Sequence, residues 1–304
     1  MRRHWRIGLV LATLAAFACN ALTGASDLGI ADECDACDAG PPPGSDDAGL
    51  DASDAMVVAD AADAAVPSYC AGIVFYARLD GTFTSAEGIA PDAPPDASFG
   101  IGKFDAAATI LGDAGAIFYP VGAKDPYPQA EGSIAMWFKP TWSSTQTAVH
   151  LYFKPATDKL YAATNTVGPQ IVDFGATRGL GLTSNNVDAS FTEALLPPAT
   201  WKAGWHELGW NHFVASWRRT PSLLAFTLNG GATDAGADGG VTHVETTSPW
   251  YPQAAAAGFL RFGSAGNPIE GSLDDVAIWS RVLPPDEVQA IYASTQSIGK
   301  ACRR

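Results

Sequence analysis

Residues 68–304 of this 304-residue chain predict an all-β fold, a two-sheet antiparallel sandwich with one short C-terminal helix, preceded by a disordered linker. Three observations carry that expectation. Short apolar runs alternate with turn residues throughout the region. Gly and Pro are abundant, at 31 and 21, as many strand connections require. No internal repeat of solenoid or propeller length is visible.

The first 19 residues read as an export signal. Arg2, Arg3 and Arg6 supply a positive start, and Ile7 to Phe17 is an apolar stretch of 11 residues. That is too short for a stable membrane span. Leu14-Ala15-Ala16-Phe17-Ala18-Cys19 resembles a bacterial lipobox. Small Ala18 before the cysteine fits the pattern, while Ala16 and bulky Phe17 depart from it. Lipidation at Cys19 is the expectation, with ordinary cleavage near Ala18 as its competitor. Asn20 is not the Asp that retains many lipoproteins at the inner membrane. The expected place is therefore the outer membrane or cell surface, anchored through lipid; the alternative is a secreted soluble protein.

Residues 20–67 predict a disordered acidic linker. They hold no Lys or Arg and consist largely of Ala, Asp, Gly and Pro. Such a composition cannot bury enough apolar surface to offset its ordering entropy, and like charges keep it extended. Its Asp spacing is irregular and lacks an EF-hand pattern. The charge is uneven along the chain: residues 1–67 carry 3 basic and 11 acidic side chains, residues 68–304 carry 15 and 21, a net of −6. No basic run or basic helix face appears, which argues against nucleic acid as a partner.

From Tyr69 the texture changes. Strands are expected at Ile73–Leu79, Ser133–Lys139, His212–Arg218, Leu223–Leu228, Gly258–Gly263 and Gly271–Val282. In the second, Ile134, Met136 and Phe138 share a face. In the third, Phe213, Ala215 and Trp217 do. Asn229-Gly230-Gly231 is a hairpin-turn signal. Both faces of these runs are fairly apolar, which suits sheets covered on both sides. The helix is predicted over Leu283–Tyr292. Pro285 fits the first helical position, Asp286 and Glu287 complement the dipole, and Val288, Ile291 and Tyr292 form the packing face.

The order of these segments resembles the concanavalin A-like jelly rolls, and among them the laminin-G-like group of exported bacterial proteins. Phe75 to Gly81 looks like the family's first strand and its Asp-Gly end. Gly100 to Asp105 and Gly132 to Pro140 are similar to two further strands. Trp210 to Ala215, followed by Leu228-Asn229-Gly230, continues the match. Gly271-Ser272-Leu273-Asp274-Asp275-Val276-Ala277-Ile278-Trp279 and the helix beyond it complete the set. Pro284 stands where the family usually has a capping Ser. The resemblance implies two sheets with Greek-key wiring over roughly residues 72–293. The family holds sugar binders, adhesion modules and passive modules attached to enzymes, so the fold leaves function open.

With Cys19 set aside, Cys34, Cys37, Cys70 and Cys302 remain, an even number that suggests disulfides in an exported chain. The resemblance implies neighbouring termini, so a Cys70–Cys302 bond is expected. A pairing of Cys70 with Cys34 or Cys37 competes with it. Cys34-Asp35-Ala36-Cys37 has redox-motif spacing but lacks a folded context, and a local disulfide is the plainer reading.

Hydrolytic relatives of this fold carry acids on one strand as E-x-D-x-x-E, placing two carboxyls about 5–5.5 Å apart. That spacing is absent here, and His150, His206, His212 and His243 show no zinc-like spacing. The expectation is a non-catalytic binding module; the alternatives are a structural or adhesion module and a degenerate glycan hydrolase. Asp274 reads first as a buried acceptor of turn N–H groups that fixes a strand end. Asp80 and Asp105 sit at similar strand ends. The resemblance also leaves one Ca2+ as a candidate cofactor, with Asp80, Asp105 and Asp274 as its candidate ligands.

Aromatics give the ligand hint. Trp201, Trp205 and Trp210 fall within ten residues of loop-like sequence, and Trp250-Tyr251 lies in a second such stretch. Flat rings in loops hold sugar faces, with polar neighbours for the hydroxyls. The competing reading is that these rings seal sheet edges. Trp201, Trp205, Trp250 and Tyr251 are the expected ligand residues, for a glycan or a surface protein.

Overall fold

The computed structural model describes residues 65–91, 97–110, 116–122, 126–146, 148–157, 166–188, 190–231, 242–251, 256–263 and 269–304. Residues 1–64, which include the expected export signal, Cys19, Cys34, Cys37 and nearly all of the expected linker, lie outside the described residues. In chain order the strands are β1 (Ile73–Ala77), β2 (Ala97–Ile101), β3 (Ala106–Ile110), β4 (Ile117–Pro120), β5 (Glu131–Pro140), β6 (His150–Ala156) and β7 (Gln170–Asp173). They continue as β8 (Leu180–Asn185), β9 (Phe191–Leu196), β10 (Asn211–Arg218), β11 (Leu223–Leu228), β12 (His243–Thr246), β13 (Phe259–Phe262) and β14 (Gly271–Trp279). Four short helices accompany them: α1 (Gly175–Arg178), α2 (Pro198–Gly204), α3 (Pro285–Ala293) and α4 (Ile298–Ala301).

Two antiparallel sheets result. The larger runs β12-β11-β10-β5-β14-β3-β2, with β1 also paired to β14; the smaller runs β4-β13-β6-β7-β8-β9. Period-two alternation sets which side chains meet between them. Ile134, Met136 and Phe138 of β5 and Phe213, Ala215 and Trp217 of β10 all enter the inter-sheet core, facing Tyr152, Phe153, Ile171 and Leu182 of the smaller sheet. Each large apolar side chain so buried contributes about 1.5–3 kcal/mol.

The opposite face of the larger sheet carries a second cluster. Ala135, Val214, Ala277 and Trp279 are covered there by Leu283, Val288 and Ile291 of α3 and its lead-in, and by Ile298 of α4. Pro284 makes no side-chain cap, as the missing Ser foretold, while Asp286 and Glu287 occupy the first turn. Glu287 pairs with Arg281 at 2.6 Å. Trp137 and Tyr292 stack with centroids 5.7 Å apart, which fixes the far end of α3. The bond between Cys70 and Cys302 is present, with Cα atoms 5.4 Å apart, and it closes a sequence separation of 232 residues.

One expectation needs correction, and one strand departs from plain alternation. Trp201–Trp210 is not all loop: Trp201 belongs to α2, a seven-residue helix opened by Pro198. A helix that short shows no periodicity to read. Strict alternation along β14 also fails. It predicts one inward Asp, yet a bulge between Asp274 and Ala277 shifts the register, and both Asp274 and Asp275 are buried. Asp275 takes a left-handed φ of 51°, which absorbs the extra residue.

Candidate ligand-binding corner

Four carboxylates, two just outside β1 and β3 and two midway along β14, are each held by their own partners. One oxygen of Asp274 accepts the N–H groups of Lys103 (2.8 Å) and Phe104 (3.0 Å). Asp80 accepts the Ala106 N–H at 2.8 Å and pairs with Arg78. The same guanidinium reaches Asp105 at 2.8 Å. Asp275 accepts the Tyr76 hydroxyl at 2.6 Å and the Ile298 N–H at 2.9 Å, capping α4. Burial pushes Asp274 up from 3.8 to about 8 and Asp275 up to about 6. Arg78 therefore stands as the cation between Asp80 and Asp105, and Asp274 spends an oxygen on backbone donors. Asp80, Asp105 and Asp274 thus serve here as acceptors and ion-pair partners that tie the β2–β3 turn to β14 and to the segment after β1. Among the described residues no group of three or more His, Cys, Asp or Glu side chains is placed to hold a metal ion.

The aromatic loops divide sharply. Trp201, Trp205 and Trp250 are buried, and none of these three rings presents a face to solvent. Trp205 stacks on Trp142 (5.2 Å), which stacks in turn on His150 (4.3 Å). Trp201 meets Trp205 edge-on at 5.4 Å. The column plugs one end of the core, because apolar rings that close a sandwich gain more by burial than by waiting for a ligand. Trp250 donates its indole N–H to the Arg218 carbonyl at 3.1 Å. The three rings are thus structural in this conformation.

Tyr251 behaves differently. It is 57 % exposed, beside a buried Trp250 that anchors the segment. Its backbone is held at both ends: its N–H donates to Asn186 Oδ1 at 2.7 Å, and its carbonyl accepts the Val187 N–H at 2.9 Å. Asn186 also donates to Ser190 Oγ (3.0 Å) and Thr192 Oγ1 (3.1 Å), and Thr192 donates to the Pro249 carbonyl at 2.9 Å. One buried amide therefore ties the β8–β9 hairpin to the segment carrying Tyr251.

The same hairpin exposes Phe191 (53 %) and Val187 (66 %). Asn185 pairs with Phe191 at the hairpin's base, so these groups share one corner of the sandwich. Polar groups surround them. Asp188 accepts both the hydroxyl (2.6 Å) and the N–H (3.0 Å) of Ser190, and the Ser190 hydroxyl holds its carboxyl below the usual carboxylate range. Arg178 pairs with Glu193, and its guanidinium lies 5.9 Å from the Phe191 ring centre. Exposed rings on a tied backbone, rimmed by charge-bearing acceptors and a donor, can stack on one ligand face and bond its edge.

Among the expected ligand residues, the structure leaves only Tyr251 open. Sequence reasoning missed Phe191, Val187 and Asn186. One signal was available: Thr192, Ala194 and Leu196 form the inward face of β9, so Phe191 is an aromatic on the outward side beside Glu193. Asn186 gave none, since its role depends on a contact 65 residues away.

Solved structures share this architecture at low sequence identity. The receptor binding domain of botulinum neurotoxin D matches with a TM-score of 0.54 and 9 % identity, over 74 % of this chain and 53 % of that one. The binding domain of botulinum neurotoxin DC, in complex with SialylT, gives 0.55 and 12 % over 75 % and 53 %. Domain 4 of AbnA, an extracellular arabinanase from Geobacillus stearothermophilus, in complex with arabinotriose, gives 0.51 and 18 % over 73 % of this chain and 98 % of that one. The chain thus spans about half the length of the neurotoxin domains and nearly all of the arabinanase domain. No curated protein matches the sequence. Residues 117–289, more than half of the chain, match the laminin G family described as the concanavalin A-like lectin/glucanases superfamily, and the chain belongs to that family.

Proposed function

We propose that this chain is a non-catalytic, surface-anchored module that binds a neutral saccharide at the Tyr251 corner. The observation that carries the reading is the exposed Tyr251 ring, whose backbone is tied at both ends to Asn186 and Val187. A sugar face stacks on such a ring without ordering a loop first, so little binding free energy is lost to entropy. Phe191, exposed on the same hairpin, offers a further apolar contact, and Asp188, Ser190 and Arg178 offer polar groups for hydroxyls. Two solved domains of the same fold are in complex with arabinotriose and with SialylT, which supports a saccharide ligand, and the first of these is neutral. The net charge of −6 on residues 68–304 disfavours polyanionic glycans.

In the same reading, residues 1–19 direct export, Cys19 carries lipid, and residues 20–67 hold the sandwich away from an outer membrane. A glycan array with the mature chain tests the binding claim. The expected result is retention of neutral oligosaccharides by the wild type and loss with Tyr251→Ala. Retention unchanged in Tyr251→Ala, or no glycan retained by either, overturns it. Metabolic labelling with a fatty-acid analogue tests the anchor: the wild type takes label and Cys19→Ala does not. Equal labelling removes the lipid claim and leaves the saccharide claim standing.

A further inference from the structure

A concavity lies on the outer face of the larger sheet, a trough of about 300 Å³. Its origin is the size of the outward side chains. Val214 and Ser216 of β10 and Ala225 and Thr227 of β11 are small, and α3 with its lead-in, which packs against Val214, stands beside them. Leu283 and Val288 form the opposing wall. Gly230 closes one end at φ 78°, where a Cβ would come within 2.6 Å of Tyr292. The floor is polar only in name: Ser216 Oγ lies 2.7 Å from Ser133 Oγ, and Thr227 Oγ1 lies 2.7 Å from His243 Nδ1. With its hydroxyls already paired, the trough suits an apolar occupant, since a buried polar group there would lack a partner.

The mouth has the opposite character. Glu245 projects from β12 on the outward side, exposed, opposite Ala225. His243 Nε2 lies 3.9 Å from its carboxylate. Among the described residues that line the trough there is no Lys or Arg, and Glu245 is the one carboxylate. An apolar floor beneath a rim that carries the Glu245 carboxylate is complementary to one chemical class. We propose that the trough binds a short apolar chain or ring bearing a cationic group, with the apolar part on Val214, Ala225 and Val288 and the cation against the Glu245 carboxylate. The volume lies at the low end for small-molecule sites, roughly 300–1,000 Å³, so the occupant is short. The site shares no lining residue with the Tyr251 corner and stands or falls separately from it.

Methyl-labelled mature protein titrated with hexyltrimethylammonium, 1-hexanol and hexyl sulfate provides the test. The expected result is saturating shifts of the Val214, Leu223 and Val288 methyls with the cation. Its affinity should exceed that of hexanol by about fivefold, the worth of one partly exposed ion pair. Hexyl sulfate should bind more weakly than hexanol. Glu245→Gln, a surface change that leaves the core untouched, should bring the cation down to the affinity of hexanol. Ala225→Leu, which fills the trough, should weaken all three ligands. Equal binding of cation and anion, an unchanged preference in Glu245→Gln, or shifts scattered away from the trough each overturn the proposal. Tyr251→Ala should leave these titrations unchanged, which separates this site from the saccharide reading.

Discussion

The segments around Trp201–Trp205 and Trp250–Tyr251 have similar compositions and opposite fates. In the first, Trp201 sits on α2 and meets Trp205, and Trp205 turns inward onto Trp142, which stacks on His150. In the second, Trp250 is drawn in by its bond to the Arg218 carbonyl, and Tyr251 is left facing outward. What separates them is a backbone tie, not ring chemistry. An aromatic is presented only where neighbouring groups hold its main chain at the surface, as Asn186 does for Tyr251. The polar networks divide in the same way. Asp274 and Asp275 are buried and raised toward neutrality, whereas Asp188 is exposed and lowered. One region is scaffold and the other is display.

The largest expected effect falls on the scaffold side. Trp201→Ala removes a fully buried indole from the column and leaves a cavity between Trp205 and the core. Truncation of a buried Phe or Trp costs about 3–5 kcal/mol. Urea denaturation should show a loss of that size. A loss below about 1 kcal/mol, the range of surface changes, would mean the ring is not a core element and would return it to the list of ligand candidates.

The pH dependence sharpens the contrast between the two networks. Folded Asp274 holds its proton up to about 8, and Asp275 and Asp173 up to about 6, against an ordinary 3.8. Between pH 4 and 8 the folded state therefore binds more protons than the unfolded one. The stability from these groups is complete below about pH 4 and is lost as pH rises through 6 and then 8. Urea midpoints should fall from pH 5.5 to pH 8.5. Asp274→Asn should flatten the fall, because a single oxygen takes both backbone bonds and an amide oxygen can still do so. A midpoint that rises over this range would place these acids ionised in the fold. Saccharide binding at the corner should be flat over the same window, since the nearby Asp188 is already charged.

How much of this was legible in the sequence follows from which interactions were local. β5, β10, β11 and β14 were readable because apolar alternation is local, and the helix because Pro285, Asp286 and Val288 stand at fixed offsets. The Cys70–Cys302 bond was foreseen through the resemblance to a family with neighbouring termini. The bulge at Asp275 was not readable, because nothing local distinguishes it from its neighbour until Lys103 and Tyr76 claim the two acids separately. Likewise the exposure of Trp201, Trp205 and Trp250 depended on long-range packing, and the composition of their loops pointed the wrong way.

A smaller effect tests the tie itself. Asn186→Ala deletes a buried amide that bonds Tyr251, Ser190 and Thr192. Loss of one partner in such a network costs about 1–3 kcal/mol. The corner should loosen before the fold does. Amide exchange should accelerate at Val187 and Tyr251, whose N–H groups make the two crossing bonds, while β5 and β10 remain protected. Uniform acceleration across the sandwich would make Asn186 part of the global scaffold and erase the distinction between the regions.

The smallest expected change in stability is also the one that decides the comparison. Tyr251→Ala removes a ring that is more than half exposed, and its backbone bonds to Asn186 and Val187 survive the substitution. Surface changes of this kind alter stability by about 0.5 kcal/mol or less. The thermal midpoint should therefore stay at the wild-type value. Saccharide affinity should fall by about tenfold or more, since a stacked ring contributes on the order of 1–2 kcal/mol at a preorganised site. Phe191→Ala should give the weaker form of the same result, because Phe191 lies at the margin of the platform and keeps Arg178 as its neighbour. Isothermal titration with the best oligosaccharide from the array measures both variants. If Tyr251→Ala instead lowers the midpoint as Trp201→Ala does and leaves affinity intact, Tyr251 is one more structural ring, and the display region is not at this corner.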